Sequence, residues 1–123
     1  MTDDWRNVDK ILADLLRYEE VLGAVALSRE GLVVGSAVVS RQDAELVGAL
    51  GASLVGAAER TARRLGAGVA EGMTIVTADG MIYLRHAGDV AVMLFMEPCD
   101  AIAVGEACEA TVHRIGEALA VLA

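Results

Sequence analysis

RQDAELVGALGASLVGAAERTARRLG, residues 41–66, is the longest helix-compatible run in the chain, and the other elements are arranged around it. At about 100° per residue, Val47, Leu50, Leu54, Ala58, Thr61 and Leu65 share one side, which the periodicity predicts as the core face. The opposite side carries Glu45, Gly48, Ala52, Gly56, Glu59 and Arg63 at spacings of three and four. A stripe facing water ordinarily bears long polar side chains. Here its middle is bare and its charges lie at the two ends. Glycine within a helix costs roughly 0.8–1 kcal/mol relative to alanine, so three glycines in one helix point to the close approach of another backbone. The expectation is a helix facing its own domain on one side and a partner on the other. Small residues drifting on a surface without purpose are the plain alternative. The uncharged run 46–58 is too short for a membrane span, which needs about 20 apolar residues.

Outward from this helix, the pattern alternates strands and turns. Residues 4–20 read as a first helix, with Asp3 or Asp4 as cap, an apolar stripe of Val8, Ile11, Leu12, Leu15 and Leu16, Trp5 packing at its end and Gly23 as a stop. GAVALSREGLVVGSAV, residues 23–38, reads as a hairpin about Arg29-Glu30-Gly31, with Gly35 marking a bulge or a weak point. Ser40 is the candidate cap of the long helix. Asp43 and Glu45 near its start and Arg60, Arg63 and Arg64 near its end suit the helix dipole. After Gly66-Ala67-Gly68, three strands are expected over 69–77, 81–87 and 90–96, turning at Asp79-Gly80 and Gly88-Asp89. VAVMLFM, residues 90–96, is apolar on both faces and belongs inside a sheet covered on both sides. Pro98 breaks the chain before a last helix over 100–122, with Val104, Cys108, Val112, Ile115, Leu119 and Leu122 inward. The order α-β-β-α-β-β-β-α gives an α+β sandwich: a five-stranded antiparallel sheet with helices on both faces, in a single domain over 1–123.

Composition narrows the function. The 123 residues suffice for one core. Hydrophobic residues make up 55% and aromatics only 3%, so the core is built of small aliphatics in tight contact, with some apolar surface expected between subunits. The net charge of −8 argues against nucleic acid and anionic membranes as partners. Thr2, Asp3 and Asp4 do not begin a secretion signal, so a cytoplasmic location with both cysteines free is expected.

Catalytic constellations are scarce. Gly66, Gly68 and Gly72 miss dinucleotide-binding spacing, and no phosphate loop of the GxxxxGK[ST] kind occurs. His86 and His113 fit no zinc pattern and read as structural or solvated. Cys99, just before the last helix, is a candidate reactive thiol because helix N-termini lower thiol pKa values. Cys108 reads as an inert small hydrophobe. Asp79 and Asp89 are explained by their turns. Arg60, Arg63 and Arg64 either complement a helix end or meet a phosphate or an acidic partner. No cofactor, metal or catalytic residue is expected, and no convergent polar cluster is visible.

VLGAVALSREGLVVGSAV (21–38) and GMTIVTADGMIYLRHAGDVAVMLFMEP (72–98) resemble the roadblock (dynein light chain, MglB-like) domain family. The likeness rests on the Gly-Ala-Val-Ala-Leu-Ser entry, the Glu-Gly hairpin, the Thr-Ala-Asp-Gly turn and the Gly-Asp turn, and it covers nearly the whole chain. It implies a profilin-like sheet ordered 2-1-5-4-3, with the long helix on one face and the first and last helices on the other. It also implies a homodimer, or a heterodimer with a paralogue, in which third strands and second helices pair. Glu45, Gly48, Ala52, Gly56, Glu59, Arg63, Met73 and Ile75 are then the expected dimer contacts, with Ala52 against Gly56 of the second copy and Glu45 near its Arg63. By the same resemblance the expected function is non-catalytic regulation or scaffolding of a small Ras-like GTPase, with or without acceleration of hydrolysis, and Arg60 and Arg64 are candidate partner-facing residues. A dimerisation platform without effect on hydrolysis and a small-molecule sensor are the alternatives.

Overall fold

The computed structural model describes residues 2–98 and 102–120. The expectations for Asp3, Asp4, Trp5, Cys99, Leu119 and Leu122 lie outside the residues whose side chains it describes. Helix α1 (Thr2–Ala13) runs into a 3-10 turn at Asp14–Arg17, so the first helical segment is shorter than its apolar pattern suggests. Strands β1 (Val21–Ser28) and β2 (Val33–Ala37) form the hairpin, and Gly23 lies within β1 instead of stopping the helix. Helix α2 (Arg41–Arg64) follows, then β3 (Gly72–Val76), β4 (Met81–Ala87), β5 (Val90–Met96) and α3 (Ile102–Ala120). The third strand is shorter at both ends than its pattern predicts. Residues 69–71 stay outside it and line a cavity instead.

All five strands pair antiparallel in the order β2-β1-β5-β4-β3. The centre is β5, as its two-sided apolar sequence requires. Val90, Val92, Leu94 and Met96 face α1 and α3 with Val8, Leu12, Leu15, Val104, Cys108, Val112 and Ile115. Ala91 and Met93 join Leu27, Leu84 and Val55 in a smaller cluster under α2. The long helix therefore covers one face and the other two helices cover the second.

Local chemistry accounts for the joints. The Ser40 hydroxyl accepts a bond from the Asp43 N–H at 3.1 Å and caps α2. Gly66 (φ +64) and Gly68 (φ +92) turn the chain out of the helix in a conformation that favours glycine. The register between β1 and β2 shifts where Ala26 faces Gly35 and Leu27 faces Val33, so the pairing is irregular beside Gly35. There α1 presses on the strand: a side chain at Gly35 would run into Val8, and the Asp9 carboxylate accepts the Ser36 N–H at 2.9 Å.

Candidate functional site

Helix α2 is rotated about its axis from the expected orientation, although Val47 and Leu54 still pack against the cluster beneath it. Ala44, Gly48, Gly51 and Val55 are its buried positions, and Ala52 packs beside them on the cluster under the helix. The bulky residues Leu46 and Leu50 are 65% and 57% exposed, and Leu65 is exposed too. The glycines do mark a close backbone approach, but the backbone is the chain's own. A Cβ on Gly48 would stand 2.9 Å from a Val33 methyl and 3.1 Å from the Gly31 carbonyl oxygen, and one on Gly51 would meet Met93 and Leu27. The smooth side of α2 lets it settle onto β1, β2 and their turn. The predicted core residues Leu50, Thr61 and Leu65 face outward, while Val47, Leu54 and Ala58 lie half-buried at the margin.

This relocates the expected dimer contacts. Gly48 is buried and Ala52 is half-buried against the cluster under α2, so both positions lie toward the protein's own sheet. Glu59 is held by Arg29, whose two Nη atoms donate to its two carboxylate oxygens at 3.3 Å each. Gly56 is half-buried, and a Cβ there would meet only the flexible Arg60 guanidinium at 3.2 Å. Glu45 and Arg63 are exposed on the flank of the helix. Arg60 and Arg64 are exposed along the outward side that also carries Leu46 and Leu50.

Met73 and Ile75 keep a position suited to contact. Their register partners Leu84 and Ile82 place them on the α2 side of the sheet. Because α2 lies chiefly over β1 and β2, Met73, Ile75 and Ile82 remain half-buried. Strand β3 pairs only with β4 and ends the sheet, so its outer backbone groups meet no strand among the described residues. Leu46 and Leu50 are exposed on the helix, while Leu54 and Met73 are half-buried against the cluster under α2.

A second site lies at the end of the sheet where the β1–β2 and β4–β5 turns meet. A cavity of about 250 Å³ is lined by Arg29, Glu59, Val69, Ala70, Glu71, Arg85, His86, Gly88, Glu109, Val112 and His113. It wraps from the α2 face, where His86 lies, to the α3 face, where Arg85 bonds Glu109 at 3.3 Å. The Arg85 guanidinium also stands 3.7 Å from Glu71. Arg29 ties α2 to both turns: besides Glu59, it reaches Asp89 at 3.9 Å, and its N–H donates to the Asp89 carbonyl at 3.1 Å. The His86 N–H donates to the Glu71 carbonyl at 3.0 Å, which fixes the entry to β3.

His86 itself is 8% exposed, and its Nε2 finds no hydrogen-bond partner among the described residues. Burial lowers its pKa from the ordinary 6.5. Arg29 and Arg85 push the same way, and Glu59 and Glu71 oppose them. The imidazole is therefore neutral at pH 7. Cys108 is fully buried on the other face, and burial pushes its thiol up to about 12. No described group of three His, Cys, Asp or Glu residues is placed to hold a metal ion. Among the described residues, no helix is long and apolar enough to cross a membrane.

Sequence reasoning missed the polar cluster because its members are scattered: a turn, a helix, a connecting loop, a strand and the last helix each supply one or two. The clearest available signal was the pair Arg85-His86 on a strand otherwise apolar, beside a turn.

The sheet order and the placement of the helices define a class, the α+β sandwich with one long helix on one face and two shorter ones on the other. Within it the chain belongs to the Roadblock/LC7 domain family, whose model matches residues 7–96. An uncharacterised protein of Methanocaldococcus jannaschii is 37% identical over 82 residues, covering 67% of this chain and 72% of its own. Among solved structures, a Roadblock/LC7 domain from Streptomyces avermitilis superposes with a TM-score of 0.84 at 20% identity, covering 90% of this chain and 96% of that one. Myxococcus xanthus MglB superposes with a TM-score of 0.77 at 13% identity, covering 93% and 91%. These two likenesses establish the fold.

Proposed function

We propose that the protein is a dimeric, non-catalytic regulator or scaffold of a small Ras-like GTPase. Two observations carry the reading: Leu46 and Leu50 on α2 are exposed, and β3 ends the sheet without a further strand among the described residues. Fully burying a leucine is worth about 1.5–3 kcal/mol, and an open strand edge is a hazard unless covered. A second copy answers both. Its β3 pairs with this β3, and its α2 covers Leu46, Leu50, Met73 and Ile75. The contact is isologous, so every residue acts twice. Of the contacts expected from sequence, Met73 and Ile75 stay in this proposal. Glu45, Gly56 and Arg63 stay only as flanking positions, and Gly48, Ala52 and Glu59 leave it. A paralogue with a matching flank serves equally well.

Family membership and the likeness to MglB support the GTPase as partner. In this reading the dimer binds the GTP-bound state more tightly, biases its switch segments and leaves hydrolysis to the GTPase's own residues. Arg60 and Arg64, exposed at the basic end of α2, supply charge toward an acidic surface.

The test uses a small Ras-like GTPase from the same organism, loaded with GTP and then with GDP. Tighter binding to the GTP form with faster hydrolysis establishes a regulator. Equal binding to both forms with an unchanged rate establishes a scaffold. Absence of binding to either form refutes both.

A further inference from the structure

The outward stripe of α2 changes character along its length, from Leu46 and Leu50 through Ser53 and Ala57 to Arg60 and Arg64. We propose that its basic end is a docking surface for an acidic segment of a partner protein, extended and carrying carboxylates at alternate positions. The proposal rests on the reading that Arg60 and Arg64 face a partner, and it names the chemistry they meet without requiring that the partner be a GTPase. Acidic side chains outnumber Lys and Arg 18 to 10 in the chain, so carboxylates for an arginine to pair with are plentiful. Arg29, Arg85 and Arg114 each hold at least one of them, and Arg17 lies against the Tyr18 ring. Arg60, Arg63 and Arg64 are exposed and pair with no carboxylate among the described residues.

The helix dipole accounts for only part of this. Its pull on a cation is confined to the last turn, where Arg63 and Arg64 lie, and Arg60 stands one turn earlier. Leu65 is 75% exposed just beyond them. Its backbone N–H donates to the Thr61 carbonyl at 3.1 Å, so a bonded backbone presents this leucine to solvent. Covering it would remove apolar surface from water. Arg60 and Arg64, four residues apart, have their side chains rooted about 5–6 Å apart on the helix. Alternate residues of an extended chain lie about 6.6 Å apart on one side. Two carboxylates spaced in that way meet both guanidiniums, and an apolar side chain two residues further on meets Leu65. A bilayer is the poorer fit. Its anionic face is broad and would also meet the acidic remainder of a chain of net charge −8. A short segment stays within one Debye length of the arginines, about 8 Å at physiological salt. Arg60 and Arg64 are not among the contacts assigned to the second copy, so the dimer leaves this surface open.

The probe is the peptide acetyl-Glu-Thr-Glu-Thr-Leu-amide, titrated into the full chain and followed by backbone amide resonances, with acetyl-Gln-Thr-Gln-Thr-Leu-amide as the uncharged control. The expected result is saturable shifts confined to residues 57–66, with affinity falling severalfold between about 50 and 300 mM salt. Arg60→Gln and Arg64→Gln weaken binding about two- to fivefold each, the scale of an exposed ion pair. Glutamine is a good helix former, so both variants keep α2. Leu65→Ser weakens binding at either salt concentration. The proposal is overturned by an absence of shifts at these residues, by equal shifts with the control peptide, or by affinity that both arginine variants leave unchanged. Binding to phosphatidylserine vesicles without binding to the peptide also overturns it and marks a lipid surface. No GTPase is present, so the outcome stands apart from the test with GTP and GDP. Peptide binding without GTPase binding refutes only the GTPase as partner, and GTPase binding without peptide binding refutes only this surface.

Discussion

Gly48 and Gly56 lie eight residues apart on α2, and both are candidates by sequence for a surface shared with a partner. The structure separates them. Alanine is the better helix former by roughly 0.8–1 kcal/mol, so each Gly→Ala change carries the same local gain. At Gly56 nothing opposes it, since the added methyl meets only the mobile end of Arg60 at 3.2 Å. At Gly48 the methyl would press on the Val33 side chain at 2.9 Å and on the Gly31 carbonyl at 3.1 Å. Gly31 sits at φ +90 in the β1–β2 turn and has little room to yield. Overpacking of this kind costs about 1–3 kcal/mol. Gly56→Ala is therefore expected to stabilise by about 1 kcal/mol, and Gly48→Ala to lie between neutral and about 2 kcal/mol destabilising. Urea unfolding at one fixed protein concentration measures both, because the stability of an associating protein depends on concentration. If Gly48→Ala stabilised as much as Gly56→Ala, the assignment of the side of α2 that lies on the sheet would be wrong.

Two further predictions concern buried titratable groups. His86 has a folded pKa below its ordinary 6.5, so the unfolded chain binds the proton first as pH falls. Its neutral-ring contribution is complete above about pH 6.5 and is lost as pH falls below that value toward the lower folded-state pKa, and a His86→Gln variant is expected to lose this part of the pH dependence. A variant whose stability profile below about pH 6.5 matched the wild type would show that the ring titrates normally. Cys108, with its pKa pushed up to about 12, presents almost no thiolate at pH 8. In a Cys99→Ser background, Cys108 is expected to react with a disulfide reagent only when the protein is denatured; rapid labelling of the folded chain would contradict its burial.

How far the sequence carried depended on where the information was local. Turns at Arg29-Glu30-Gly31, Asp79-Gly80 and Gly88-Asp89, the Ser40 cap and the two-sided apolar run 90–96 are each readable within a few residues. The element order follows from them, and the order of the strands comes from the family resemblance. The faces of α2 are misread when periodicity is weighed by side-chain size, with large residues assigned inward and bare ones outward. Here Leu27, Leu84 and Met93 of the sheet supply the bulk, and the helix offers glycine and alanine so that its backbone can approach. Leu46, Leu50 and Leu65 are left for the outer surface. The polar cavity is illegible for another reason: Arg29, Glu59, Glu71, His86 and Glu109 have no mutual spacing, and only the completed sheet brings them together.

The central claim is that the outward face of α2 and the edge of β3 join two copies. Sedimentation velocity of the wild type and of Leu50→Glu, whose altered side chain lies in water in a lone subunit, decides it directly. The expected result is a wild-type species of twice the 12.8 kDa chain mass and a folded Leu50→Glu monomer. A wild-type monomer, or a variant that stays dimeric, would contradict it.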